Sequence, residues 1–194
     1  MPKIVDRERQ RQEIGAALLD IVGTRGFDEV SVRTVAAASG RSAGAVQKYF
    51  QTKDDMLLFA LDMAGDRVVG RLAEIDMSGT IRDVLRRLVV ATLPLDGPRR
   101  AEAAVWAAFA ARAACDAKLA AVLREVDRAV AGDLVAGLDD ARAAGQLSGS
   151  ASSQSLADAV IAVSDGLALR MLYAPAQSDA LLEALDSALE GLLA

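Results

Sequence analysis

Histidine is missing from this chain altogether. With it go the Ser-His-Asp and Cys-His nucleophile arrangements and every histidine-based metal site. The single cysteine, Cys115, excludes a disulfide framework and points to a reducing compartment. Within its Ala-rich surroundings it is expected to be a small buried apolar residue. No P-loop, no G-x-G-x-x-G and no C-x-x-C is present. The N-terminal stretch MPKIVDRERQRQE is charged where a secretory signal needs an apolar core. No run approaches the ~18 uncharged apolar residues of a membrane helix. These absences predict a cytoplasmic protein with no membrane association, no bound metal and no cofactor. The carboxylates that remain fall at helix caps and on polar faces, which reads against an enzyme.

What is present is apolar residues at helical spacing. The 194 residues are 53% hydrophobic, and a chain of this length buries roughly 70% of its extended surface. From Asp6 to about Arg25, residues Ile14, Ala17, Leu18, Ile21 and Val22 follow an i, i+3, i+4, i+7, i+8 series, and Gly26 ends that helix. Residues 1–5 are expected to be disordered in the isolated protein. Thr52 with Asp55 and Thr80 with Asp83 are capping boxes that open further helices, the second running to about Leu93. Pro98 suits the first turn of a helix reaching about Ala114. A long helix is predicted from Asp116 to Ala144, stopped by Gly145, and two more from Ser155 to Tyr173 and from Ser178 to Leu193. Residues 145–154, GQLSGSASSQ, form the one flexible-looking connection. No strand-like alternation appears, so the fold class is all-α with about nine helices.

The most informative stretch is residues 31–53, SVRTVAAASGRSAGAVQKYFQTK. It reads as a short helix from Ser31 to Ala38, a turn through Ser39, Gly40 and Arg41, and a second helix from Ser42 to about Tyr49: a helix-turn-helix. Gly40 falls where the turn requires a positive φ, and Ser42 is placed to cap the second helix. Val32, Val35, Ala36, Val46 and Phe50 share one small core, which leaves Ala43, Gly44, Gln47 and Lys48 facing outward. Arg33, Arg41, Lys48 and Lys53 give a local charge of +4, with no acid between Glu29 and Asp54, in a chain of net charge −5. Phosphate contacts need such a patch only locally. Geometry alone leaves open a helix pair that never meets DNA.

Residues 14–57 resemble the DNA-binding domain of the tetracycline-repressor (TetR) family. The resemblance is carried by Ile14, Ala17, Leu18, Gly26, Phe27, Val35, Ala36, Ser39, Gly40, Ser42, Gly44, Val46, Tyr49, Phe50, Thr52, Lys53 and Met56. It implies an N-terminal three-helix helix-turn-helix domain over 1–52 and a helical effector-binding and dimerisation domain over 53–194. The implied DNA-contact set is Ser31, Arg33, Arg41, Ser42, Ala43, Gly44, Gln47, Lys48, Tyr49 and Lys53. Three positions differ from the usual pattern: Arg41 replaces a valine of the turn, Gln47 a tyrosine that contacts phosphate, and Tyr49 a frequent histidine. An amide at Gln47 can reach an adenine edge.

The stretches PLDGPRR at 94–100 and DGLALR at 165–170 also resemble the C-terminal domain of the betaine-synthesis-repressor branch. The resemblance implies a homodimer formed through the last two helices and a pocket for a small-molecule effector. Candidates for its lining are Phe59, Met63, Trp106, Phe109, Cys115, Met171 and Tyr173. That branch implies a quaternary ammonium ligand, which wants an aromatic cage. Aromatics are only 4% of the chain, so an uncharged apolar effector is the easier fit. The reading is therefore a ligand-released, DNA-binding transcriptional repressor, acting as a homodimer on a palindromic operator. The rivals are a helical protein-interaction module without DNA affinity and an enzyme built around an apolar helical cavity.

Overall fold

Local capping chemistry sets most of the element boundaries. In the computed structural model, which describes residues 2–194 with side chains from residue 9 onward, the described chain forms nine α-helices and no strand. They are α1 (Pro2–Arg25), α2 (Val32–Ser39), α3 (Ala43–Gln47), α4 (Lys53–Leu72), α5 (Ile81–Thr92), α6 (Gly97–Ala113), α7 (Ala117–Ala143), α8 (Ser153–Tyr173) and α9 (Ser178–Leu193). Thr52 and Thr80 close capping boxes with Asp55 and Asp83, and the side chains of Asp96 and Asp116 accept backbone N–H bonds at the starts of α6 and α7. Helix α1 begins at Pro2, not Asp6, so residues 2–5 are helical where disorder was expected. Met1 lies outside the described residues. Helix α3 ends at Gln47, two residues before the expected Tyr49.

Two cores organise these helices. The first gathers Ile14, Leu18 and Ile21 of α1, Val35, Val46, Phe50, and Leu57 of α4, and continues into Val105 and Phe109 of α6. It therefore crosses the boundary after Thr52. The second joins Leu85 and Leu93 with Leu138, Val160, Met171, Leu185 and Leu189, drawn from α5, α7, α8, α9 and the turn after α5. Helix α6 touches both, with side chains in the first core and its N-terminal turn against α8. There Arg100 donates to the carbonyls of Met171 (3.4 Å) and Leu172 (2.5 Å), which α8 leaves without helical partners.

Residues 145–154 are held where their composition suggested flexibility. Arg142 donates to the carbonyls of Gly149 (2.7 Å) and Ala151 (2.6 Å), Gln146 accepts from the Ile81 N–H at 2.7 Å, and Leu147 is buried in the second core. A guanidinium bonding loop carbonyls leaves no trace in Gly/Ser content.

Helices α1 and α6 approach most closely at Gly23, where a Cβ would fall 2.7 Å from that of Ala101. No real Cβ pair sits so close, so the backbones must separate to admit one. Gly23→Ala is expected to cost about 1–3 kcal/mol of stability, the usual range for overpacking, measurable by urea denaturation. An unchanged midpoint would show that the two helices separate freely.

Candidate nucleic-acid interface

The recognition segment is built by three caps. The Ser31 hydroxyl accepts from the Thr34 N–H (3.1 Å) while Thr34 Oγ1 accepts from the Ser31 N–H (2.9 Å), which fixes the start of α2. Gly40 ends α2 in the left-handed region at φ 65°, and the Arg41 N–H returns to the Ala36 carbonyl at 3.0 Å. Ser42 Oγ accepts from the Ala45 N–H at 3.2 Å and opens α3. Val46, fully buried, and Phe50 then anchor α3 against α1 and α4. The outward face follows from that anchoring: Ala43, Gly44, Gln47 and Lys48 are all exposed, as are Ser31, Arg33 and Ser42. Small residues at the start of such a helix let it approach a groove closely, and Gln47 and Lys48 are the longest polar side chains on it.

The cations of this stretch are not equivalent. Arg33 and Lys48 are exposed and make no hydrogen bond or ion pair with the described residues. Lys53 is half-buried: its Nζ donates to the Asp28 carbonyl at 2.9 Å and lies 4.9 Å from the Phe27 ring centre. An ammonium has three protons, so Lys53 keeps donors for a phosphate. Arg41 is half-buried and donates to Glu13 of α1, which also accepts from Arg9 Nε at 3.0 Å. The Arg41 and Arg9 guanidiniums hold the Glu13 carboxyl below its ordinary pKa. Tyr49 is half-buried, with its hydroxyl 3.4 Å from Gln10 Oε1 of α1. Bonds from the Thr52 backbone N–H and hydroxyl, then the Gln51 N–H, similarly hold Asp55 low at the start of α4.

The seven candidate effector contacts fall in separate places: Phe59, Met63, Trp106 and Phe109 in or against the first core, Met171 in the second, and Cys115 and Tyr173 at the surface. Phe59 stacks against Phe50 with centroids 5.1 Å apart and carries the Arg11 guanidinium 4.3 Å above its ring, so it belongs to the first core. Phe109 is buried there too, with Met63 and Trp106 packed on its edge. Met171 lies in the second core. Tyr173 is 70% exposed. Cys115, expected to be buried, is exposed, because α6 stops at Ala113 and places it in the turn before Asp116 caps α7. Open depressions include one of about 630 Å³ beside Ile81, Gln146 and Leu193 and one of about 420 Å³ beside Arg124, Asp127 and Asp158; none of the seven lines either of these.

Sequence reading missed Glu13 and the pair Arg71–Glu102, in which Arg71 Nη2 meets a buried carboxylate at 2.6 Å. A signal for Glu102 existed: it shares the apolar stripe of α6 with Val105 and Phe109, at i, i+3 and i+7.

An all-helical chain that presents a capped, outward-facing helix-turn-helix beside exposed cations is a helix-turn-helix DNA-binding protein, and known proteins give the same answer. Residues 14–59 match the model of bacterial regulatory proteins of the tetR family, and residues 81–194 match that of the BetI-type transcriptional repressor C-terminal domain. The chain belongs to the TetR family of DNA-binding transcriptional regulators, with a C-terminal part of BetI type. It is 32% identical over 118 residues to the HTH-type transcriptional regulator PksA of Bacillus subtilis, a match spanning 58% of this chain and 56% of that protein. It is similar to a transcriptional regulator from Rhodococcus sp. Rha1, with TM-score 0.83 and 36% identity over 94% of this chain and 95% of that one. The fold is shared with a regulator from Saccharomonospora viridis solved in complex with choline, with TM-score 0.80, 23% identity and 94% and 96% coverage.

Two substitutions separate the roles on α3. Lys48→Ala is expected to weaken all DNA sequences alike and to reduce the salt slope by about one. Gln47→Ala is expected to relax preference at one base position by roughly 1–3 kcal/mol. Fluorescence anisotropy on a panel of duplexes at several salt concentrations reads both. Unchanged salt dependence would remove Lys48 from the phosphate contacts, and uniform loss would make Gln47 a positioning residue.

Proposed function

We propose that the protein is a repressor that binds a palindromic operator as a homodimer in the cytoplasm and is released by a small-molecule effector. The observation that carries this reading is the exposed α3 face, Ala43, Gly44, Gln47 and Lys48, held outward by buried Val46 and Phe50. Residues 1–52 read the DNA, with contacts from Ser31, Arg33, Ser42, Ala43, Gly44, Gln47, Lys48, Tyr49 and Lys53, and with Arg41 beside them. Residues 53–194 carry effector binding and dimerisation. No described helix is long and apolar enough to cross a membrane.

Dimerisation is supported by the outer faces of the last two helices. Ala162, Gly166, Leu169 and Tyr173 lie at i, i+4, i+7 and i+11 on α8, and Ala180, Ala184, Ser187 and Gly191 repeat that spacing on α9. All eight are exposed. Small residues beside a 53%-exposed Leu169 suit close helix packing against a second copy. A dimer also supplies the two recognition helices that half-sites about 34 Å apart require.

The effector reading starts from an uncharged apolar molecule. A cationic effector is the second reading, favoured by Asp127 of α7 and Asp165 of α8. Both side chains are exposed, yet partial desolvation between the helices raises their carboxyl pKa values, and the Asp127 charge raises that of Asp165 further. A cation near them relieves that repulsion. Choline is the direct probe, and a thermal midpoint that rises with choline concentration would select the cationic reading over the apolar one.

Footprinting of the DNA just upstream of the gene tests the main reading. A protected inverted repeat is expected, with affinity falling steeply in salt. Leu169→Glu is expected to yield a folded monomer by light scattering that no longer protects the repeat. Helicity and oligomer both intact in that variant would move the interface away from α8. Absence of salt-dependent DNA affinity would favour a protein-interaction module.

A further inference from the structure

We propose that Glu13 of α1 is an affinity-limiting residue: it holds Arg41 against the protein and so competes with the DNA backbone for that guanidinium. The proposal deepens the DNA-binding reading and rests on it. Glu13 and Arg41 are 28 residues apart and belong to different elements, so their pairing is a product of the fold, not of helical spacing. Arg41 occupies the turn between α2 and α3, immediately before the exposed α3 cap Ser42. Its side chain is 33% exposed and that of Glu13 is 37% exposed, so the pair sits at the surface and can open without exposing a core.

The arrangement of α1 supports competition over a purely structural tie. Glu13 accepts from two guanidiniums, Arg9 at 3.0 Å and Arg41, and these two bonds depress its pKa. The carboxylate gives Oε1 to Arg9 and Oε2 to Arg41, so Arg41 is held by a single charged oxygen of the kind a phosphate also offers. A surface pair of this kind contributes little to stability, commonly 0.2–1 kcal/mol. It has a larger effect on DNA. A negative charge beside the recognition helix and an occupied cation together remove about one phosphate contact, and each contact is worth about 0.9 in the slope of log K against log[salt].

The substitution Glu13→Gln tests this, because it removes the charge and keeps the shape. Affinity for duplex DNA is expected to rise about five- to tenfold near 0.1 M salt, with the salt slope steeper by about one, since a slope change of 0.9 is about eightfold per decade of salt. The gain should appear on random-sequence duplex as well as on operator. In the Arg41→Ala background most of the gain should be lost, because the competed guanidinium is gone and only the removed charge and the released Arg9 remain. Circular dichroism and thermal melting confirm that the variants fold, and Glu13→Ala reads the same quantity if Glu13→Gln does not. Wild-type binding with no gain in the variant, or a gain undiminished without Arg41, overturns the competition and leaves DNA binding standing. A wild-type protein with no salt-dependent DNA affinity overturns the DNA-binding reading itself, and this proposal with it.

Discussion

Among the described residues Glu102 is the one charged side chain that is buried, and the arrangement of the helices depends on how its charge is met. An unpaired carboxylate there would carry a desolvation penalty of several kcal/mol. Arg71, at the last turn of α4, meets it at 2.6 Å with Nη2 and donates Nε to the Ala91 carbonyl of α5 at 2.7 Å. One guanidinium thus joins the end of α4, the start of α6 and the end of α5. Arg99 adds a bond to the Val90 carbonyl at 3.3 Å, and Arg100 binds the end of α8. The first turns of α6 therefore satisfy C-terminal carbonyls of two other helices, groups that must find donors from outside their own helix.

Helix α6 is consequently a shared wall. Its Val105 and Phe109 lie in the core that seats α1, α2 and α3, and Ala101 abuts Gly23 of α1. At its other end Arg112 pairs with Asp54 at the start of α4. Helix α4 is thus tied to α6 near both of its own ends, by Asp54–Arg112 and Arg71–Glu102. An effector acting on the C-terminal helices changes DNA affinity only by favouring one arrangement over another. The two ion pairs and the Gly23–Ala101 contact join α6 to α4 and α1, and any shift of α6 would reach those helices through them.

The parts of this structure that the sequence made legible are those whose causes are local. Ser31, Gly40, Ser42, Thr52, Thr80 and Asp116 mark boundaries because a cap or a positive φ is settled within three or four residues. The outward face of α3 was legible for the same reason, since Val46 and Phe50 fix its rotation. The pairs Glu13–Arg41 and Arg71–Glu102 were not, because their partners are 28 and 31 residues apart and charge alone names no partner. The local +4 did not show how its members are engaged: Arg41 is paired with Glu13 and Lys53 donates to the Asp28 carbonyl. The split of the effector candidates between cores and surface has a related reason. Phe59 and Met171 look alike in a sequence, yet one is buried against Phe50 and the other among α8 and α9.

The coupling through α6 is tested most directly by the operator affinity of Glu102→Ala, compared with wild type across a salt series in a variant that keeps wild-type helicity. Glu102 faces no DNA, so its loss removes no phosphate contact. If the pair with Arg71 sets the recognition helices, operator affinity falls several-fold while affinity for random duplex and the salt slope stay unchanged. An operator affinity equal to wild type would contradict the coupling and reduce Arg71–Glu102 to a contribution to stability.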